Sequence, residues 1–257
     1  MHNSSIETVA KKITNAWYGQ WFDSPYYQLL YRNRDDVEAR IFLNHLLREL
    51  RLPAKSRVAD LGCGRGRHAV VLYEHGLDVT GLDLSEASIR EAMKLQSLGL
   101  QFDVHNIHFP YRDNYFQAVF NFFTSFGYDE EDADNARVIN AASQSLVCEG
   151  HFVLDYLNPE ILDWNEKEPE ELVLEGVQFK ITRWRSAHFV YKRIVVNDGS
   201  EEYCFEERVR LYSLNQLQQF FHAAGFDVVN VWGDYSLNTY DSRQSSRMIL
   251  VGKKGNR

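Results

Sequence analysis

The sequence predicts an α/β fold built on a doubly wound, mostly parallel sheet whose last strand is antiparallel. An N-terminal helical segment and an antiparallel β insertion complete it. Three observations carry this expectation. Strand-like and helix-like patterns alternate over residues 56–158, as in parallel sheets flanked by helices. A glycine-rich turn, Gly62-Cys63-Gly64-Arg65-Gly66, stands between a strand and a helix. The alternation then gives way at residues 170–212 to period-two segments rich in β-branched and aromatic residues, and resumes beyond them.

Taken in order, Val37, Ile41, Leu43, Leu46, Leu47 and Leu50 recur near helical spacing, so residues 1–50 read as helical. An aromatic stretch, Trp17 to Tyr27, precedes them, and Pro53 closes the region. Arg57–Leu61 is a strand entering Gly62, and His68–His75 a helix stopped by Gly76. Asp78–Leu82 is a strand, and Ser85 caps a helix over Glu86–Leu98. Strands at Gln101–Asn106 and Ala118–Phe123, a helix at Asp132–Leu146 and a strand at His151–Tyr156 follow. Glu171–Trp184, Ala187–Asn197 and Glu202–Tyr212 read as strands of the insertion, with a turn at Asn197-Asp198-Gly199-Ser200. Ser213 caps a helix over Leu214–Ala224, ended by Gly225, and strands at Phe226–Trp232 and Met248–Val251 close the sheet. The expected division is a helical lid at 1–50, a core of 51–158 with 213–257, and a substrate cap at 159–212.

The formal net charge of −8 disfavours a broad basic face for a phosphate backbone. Cys63, Cys148 and Cys204 form no metal-ligand spacing, and their odd number argues against a disulfide framework; a reducing cytoplasm is expected. The N-terminus lacks an apolar signal core, and no run is long enough for a membrane helix.

The chemistry centres on Asp60-Leu61-Gly62-Cys63-Gly64-Arg65-Gly66. Glycines permit positive φ and close approach of a ligand to the backbone. Asp83 ends the next strand, 21 residues beyond Gly62, where a carboxylate accepts from both ribose hydroxyls. The dinucleotide fingerprint needs a third glycine where Arg67 stands, so a nicotinamide cofactor is disfavoured.

These residues resemble the first motif of class I S-adenosylmethionine-dependent methyltransferases. The resemblance continues through Asp83, through Asn121-Phe122-Phe123-Thr124-Ser125-Phe126-Gly127-Tyr128, and to the closing strand. It implies a Rossmann-like domain with S-adenosylmethionine as cofactor and S-adenosylhomocysteine as product. Gly62, Cys63, Gly64 and Gly66 would pass under the methionine and ribose. Asp60 would sit near the amino group or anchor the loop. Asp83 would hold the ribose hydroxyls, with Leu84 against the adenine. Asn106, with Ile107 beside it, stands where the family usually has an acid that accepts from the adenine amino group; an amide carbonyl accepts the same bond without charge assistance. Asn121 would lie near the sulfonium. Tyr27, Tyr31 and Arg34 resemble an N-terminal lid that touches the cofactor's carboxylate, Arg34 bidentately.

Asp155 and Tyr156, at the end of the fifth core strand, are the candidate catalytic residues, because open α/β sheets bind ligands at that edge. His68, His105 and His108 are ambiguous between site and structure, and no metal is expected. The reaction implied is in-line methyl transfer to a nitrogen or oxygen atom of a small-molecule acceptor. RNA or protein methylation is an alternative, weakened for nucleic acid by the missing prolines after Asn121. A non-catalytic cofactor-binding protein is another, because shared fold is not shared function. A monomer or homodimer is expected, with no membrane partner.

Overall fold

A computed structural model of the chain describes residues 17–32, 36–162 and 168–255. In chain order its helices are α1 (Trp17–Phe22), α2 (Pro25–Leu30), α3 (Asp36–Leu50), α4 (Arg67–Glu74), α5 (Glu86–Ala92), α6 (Asp132–Ser145) and α7 (Leu214–Ala223). Its strands are β1 (Arg57–Leu61), β2 (Asp78–Asp83), β3 (Leu100–Val104), β4 (Phe116–Asn121), β5 (Leu146–Leu157), β6 (Glu170–Leu174), β7 (Val177–Arg185), β8 (Phe189–Asn197), β9 (Glu202–Arg210), β10 (Phe226–Trp232) and β11 (Arg247–Lys254). The described residues form two compact units, 36–162 with 210–255 and 17–32 with 168–209.

The larger unit holds a seven-stranded sheet in the order β10-β11-β5-β4-β1-β2-β3. β1 pairs in parallel with β2 and β4, whereas β11 runs antiparallel to β5 and β10. This is the expected doubly wound sheet, in which only the last strand, β11, is reversed. β1 is buried almost throughout, as expected where helices cover both faces of a parallel sheet; Val58 and Ala59 are fully buried. The chain leaves β1 toward β2 and β3, then returns to β4 on the other side. The carboxyl ends of β1 and β4 therefore flank the topological switch point, the crevice where open α/β sheets bind ligands. α3, expected within the lid, belongs to this unit: Phe42, Leu43 and Leu46 enter its core, while Val37 and Ile41 of the same pattern stay exposed.

Some boundaries depart from expectation. The helix predicted to Leu98 ends at Ala92 and tightens to a 3₁₀ turn at Met93–Leu95. Met93, Leu95 and Leu98 are exposed, so no buried face rewards a longer helix. β5 begins at Leu146, directly after α6, rather than at His151.

In the smaller unit, β6-β7-β8-β9 form a four-stranded sheet. The single strand predicted at Glu171–Trp184 is a hairpin: Leu174 pairs with Val177 across Glu175 and Gly176, both left-handed at φ 51° and 84°. That is the geometry a two-residue hairpin loop requires. Trp21 of α1 is buried with Phe179, Ile181, Ile194 and Val196, and its ring lies 4.7 Å from Phe205. By strand alternation Trp184 and Tyr191 occupy the other face, where their rings stack at 5.1 Å. Among the described residues no helix is long and apolar enough to cross a membrane.

Candidate functional site

The glycine loop closes the end of β1. Gly62 and Cys63 donate their amides to Leu82 O of β2 at 2.7 and 3.1 Å, and Gly66 donates to Cys63 O at 3.0 Å. Gly66 caps α4 in the left-handed region, φ 86°. The glycines are not equivalent. A Cβ on Gly62 would lie 2.6 Å from Ser125 Cβ, and one on Gly66 would lie 2.7 Å from the Phe102 ring. These two serve close packing. A Cβ on Gly64, at φ 55°, would meet no atom within 4 Å. Gly64 thus faces open space, as a backbone that cradles a ligand must. Cys63 is turned inward and buried, its thiol pushed well above its ordinary pKa by burial, so it contributes shape rather than reactivity.

Asp83 sits at the rim of this cradle. Its Oδ2 accepts from Gly64 N and its Oδ1 from Ser85 N, each at 2.8 Å. Both carboxylate oxygens thus accept backbone amides, one from the loop and one from the start of α5. Leu84 beside it is half-buried. Beneath the loop, Asp60 is 1% exposed and its Oδ2 has no hydrogen-bond partner among the described residues. Burial, and then the negative charge of Asp83, push its carboxyl up to about 7; Arg67 and the Ala69 amide oppose this. At the end of β4, Asn121 is fully buried. Its Nδ2 donates to Leu61 O and Ser125 O at 3.0 and 3.2 Å, and its Oδ1 has no partner among the described residues. Two buried acceptor oxygens, one near the end of β1 and one at the end of β4, thus lack donors among the described residues, an arrangement that costs free energy.

The third strand behaves differently. Asn106 Oδ1 accepts from His108 N at 3.1 Å and lies 2.7 Å from His108 Nδ1. The carbonyl expected to meet an adenine amino group is therefore already engaged, which leaves Nδ2 as the amide's free chemistry. His108 is buried and its Nε2 lies 2.7 Å from Asp129 Oδ2, so it bridges the loops after β3 and β4. His105 sits against Phe109 O, and Ile107 is half-buried. His68 is buried with its ring 4.8 Å from Phe122, a structural position.

The two catalytic candidates do not face the cradle as free groups. Asp155 is 1% exposed. Its carboxylate accepts from Arg247 Nε at 2.7 Å, Phe123 N at 2.8 Å and Tyr235 OH at 2.9 Å. Tyr156 is fully buried and its hydroxyl donates to Arg210 O; burial pushes its phenol well above its ordinary pKa. Their strand ends at the right edge, but alternation and burial direct both side chains into the interior. Tyr27 and Tyr31 lie in the smaller unit. Tyr27 stacks among Trp21, Phe22 and Tyr31, and the Tyr31 hydroxyl donates to Glu207 at 2.8 Å. Arg34 lies outside the described residues. No metal-binding cluster occurs among the described residues.

Sequence reasoning missed Tyr235 and Arg247, left His108 ambiguous and gave Ser125 no role of its own. Nothing local marks them, since each acts through contacts with distant strands or loops.

A family model described as a methyltransferase domain matches residues 31–231. YqeM of Bacillus subtilis, a protein whose own methyltransferase assignment is provisional, is 27% identical over 220 residues, covering 80% of this chain and 87% of that one. The fold resembles that of a S-adenosylmethionine-dependent methyltransferase from Clostridium acetobutylicum, with a TM-score of 0.75 at 18% identity over 90% of this chain and 96% of that one. It also resembles the sugar N-methyltransferase KedS8 from a Streptoalloteichus species, with a TM-score of 0.73 at 22% identity over 90% and 93%.

Proposed function

Because the chain belongs to the methyltransferase domain family, we propose that it carries a methyl group from S-adenosylmethionine to a nitrogen or oxygen atom of a small-molecule acceptor. The observation that supports this most directly is the open cradle at Gly64, rimmed by Asp83, together with the unpartnered oxygens of Asp60 and Asn121. A ribose diol would donate to Asp83, and a positively charged sulfonium and ammonium match the two bare acceptors. Leu84 would cover the adenine, and Asn106 would donate from Nδ2 to an adenine ring nitrogen rather than accept from its amino group. When bound, the cofactor supplies an electrophilic methyl carbon for in-line displacement. The chain's part is to align the acceptor and keep water away.

An amine is the favoured acceptor. Asp155 and Tyr156 are engaged in the interior, so the larger unit offers neither as a general base, and a neutral amine needs none. KedS8, named as a sugar N-methyltransferase, supports the same direction. The test pairs binding with turnover. A thermal-shift titration with S-adenosylmethionine and S-adenosylhomocysteine should stabilise the chain by about 2.7 kcal/mol at a hundredfold excess over Kd, whereas NAD should not. Radiolabelled methyl transfer to a panel of amino sugars and phenols should favour the amines. A shift with NAD alone would sink the reading.

A further inference from the structure

Phe123 and Thr124 are consecutive residues in the left-handed region, at φ 57° and 62°. For side chains other than glycine this conformation is strained, so the surroundings must hold them. One residue of β5 bonds both backbones. Phe123 N donates to Asp155 Oδ2 at 2.8 Å, and Thr124 N donates to Asp155 O at 3.0 Å. Arg247 of β11 locks that residue in turn. Its Nε donates to Asp155 Oδ1 at 2.7 Å, and one terminal nitrogen donates to Thr124 Oγ1 at 2.8 Å and Asp155 O at 3.3 Å. Tyr235 adds its hydroxyl to Asp155 from the β10–β11 connection.

The turn so held shapes the cradle. Ser125, directly after it, accepts from Asn121 Nδ2 on its carbonyl and places its hydroxyl 3.4 Å from Gly62 O. Asn121 is thereby fixed with its unpartnered Oδ1 buried at the end of β4. A buried ion pair adds little net stability, because desolvation offsets its attraction. What the pair does secure is a backbone conformation.

We propose that Arg247 is a positioning residue for the cofactor site: with Asp155 it holds Phe123–Thr124 left-handed, and so fixes Ser125 and the Asn121 amide against the glycine loop. This rests on the cofactor reading above. The test is calorimetric titration of S-adenosylhomocysteine into the full chain, which needs no acceptor. Wild-type chain that binds nothing overturns the cofactor reading itself. Given wild-type binding, Arg247→Gln should weaken affinity by about tenfold, equivalent to ~1.4 kcal/mol. Adding Thr124→Gly to that variant should restore most of it, because glycine adopts the left-handed conformation unaided. Thr124→Val, which removes only the Arg247 acceptor, should weaken binding while the melting curve stays cooperative, and it serves if Arg247→Gln does not fold. Wild-type affinity in either folded single variant, or no recovery in the glycine double variant, overturns the proposal.

Discussion

The amide of Gly64 donates to Oδ2 of Asp83 at 2.8 Å, so the glycine loop after β1 and the carboxylate ending β2 form one hydrogen-bonded structure. The same acid therefore shapes the loop and is the one proposed to hold the ribose. Asp83→Asn removes the charge and turns one acceptor into a donor facing an amide. Charged hydrogen bonds contribute about 1.5–3 kcal/mol, so S-adenosylhomocysteine affinity should fall by roughly tenfold or more. Calorimetry showing unchanged affinity would remove Asp83 from the site.

Gly62 and Gly64 should separate by assay. Alanine at Gly62 or Gly64 incurs roughly 1–2 kcal/mol for the left-handed backbone. Gly62→Ala adds a collision with Ser125, about 1–3 kcal/mol of overpacking, and should lower the melting temperature more. Gly64→Ala meets no protein atom, so its larger effect should be on cofactor affinity. Equal melting losses with intact binding at Gly64 would contradict the cradle.

Asp60 predicts a pH dependence of the free protein. Its carboxyl is pushed up to about 7, above the unfolded value near 4. The folded chain therefore binds more protons between those values. The stability this group contributes is present below about pH 4 and is lost as pH rises through about 7. The loss should reach at most ~1.4 kcal/mol per pH unit. Asp60→Asn should flatten the profile in urea melts at pH 5 and pH 8; parallel profiles for the two proteins would refute the assignment.

Tyr156→Phe leaves the Arg210 carbonyl without its buried donor, and should lower stability by about 1–3 kcal/mol. S-adenosylhomocysteine affinity should not change. A normal melt with impaired methyl transfer would instead return Tyr156 to the list of catalytic candidates.

Glu207 accepts from Trp21 Nε1 at 2.6 Å and from the Tyr31 hydroxyl at 2.8 Å, and Lys192 lies 3.7 Å away. Glu207→Leu should leave the indole N–H unsatisfied and loosen α1 and α2 from the insertion sheet. Hydrogen exchange should then rise selectively in residues 17–32. Unchanged protection there would show that apolar contacts around Trp21 suffice.

The sequence by itself determined what short stretches encode. The strand–helix rhythm, the Gly62–Gly66 turn and the acid at Asp83 each depend on residues close in the chain, through turn chemistry and the periods of helix and strand. Tertiary structure decided where each side chain faces and what it meets. It made Glu175-Gly176 a hairpin, engaged Asn106 with His108, and turned Asp155 and Tyr156 inward. It also brought Arg247 to Thr124, 123 residues earlier. No local pattern specifies these contacts, because each depends on the register of strands paired across the sheet and on which buried groups remain to satisfy one another's hydrogen bonds.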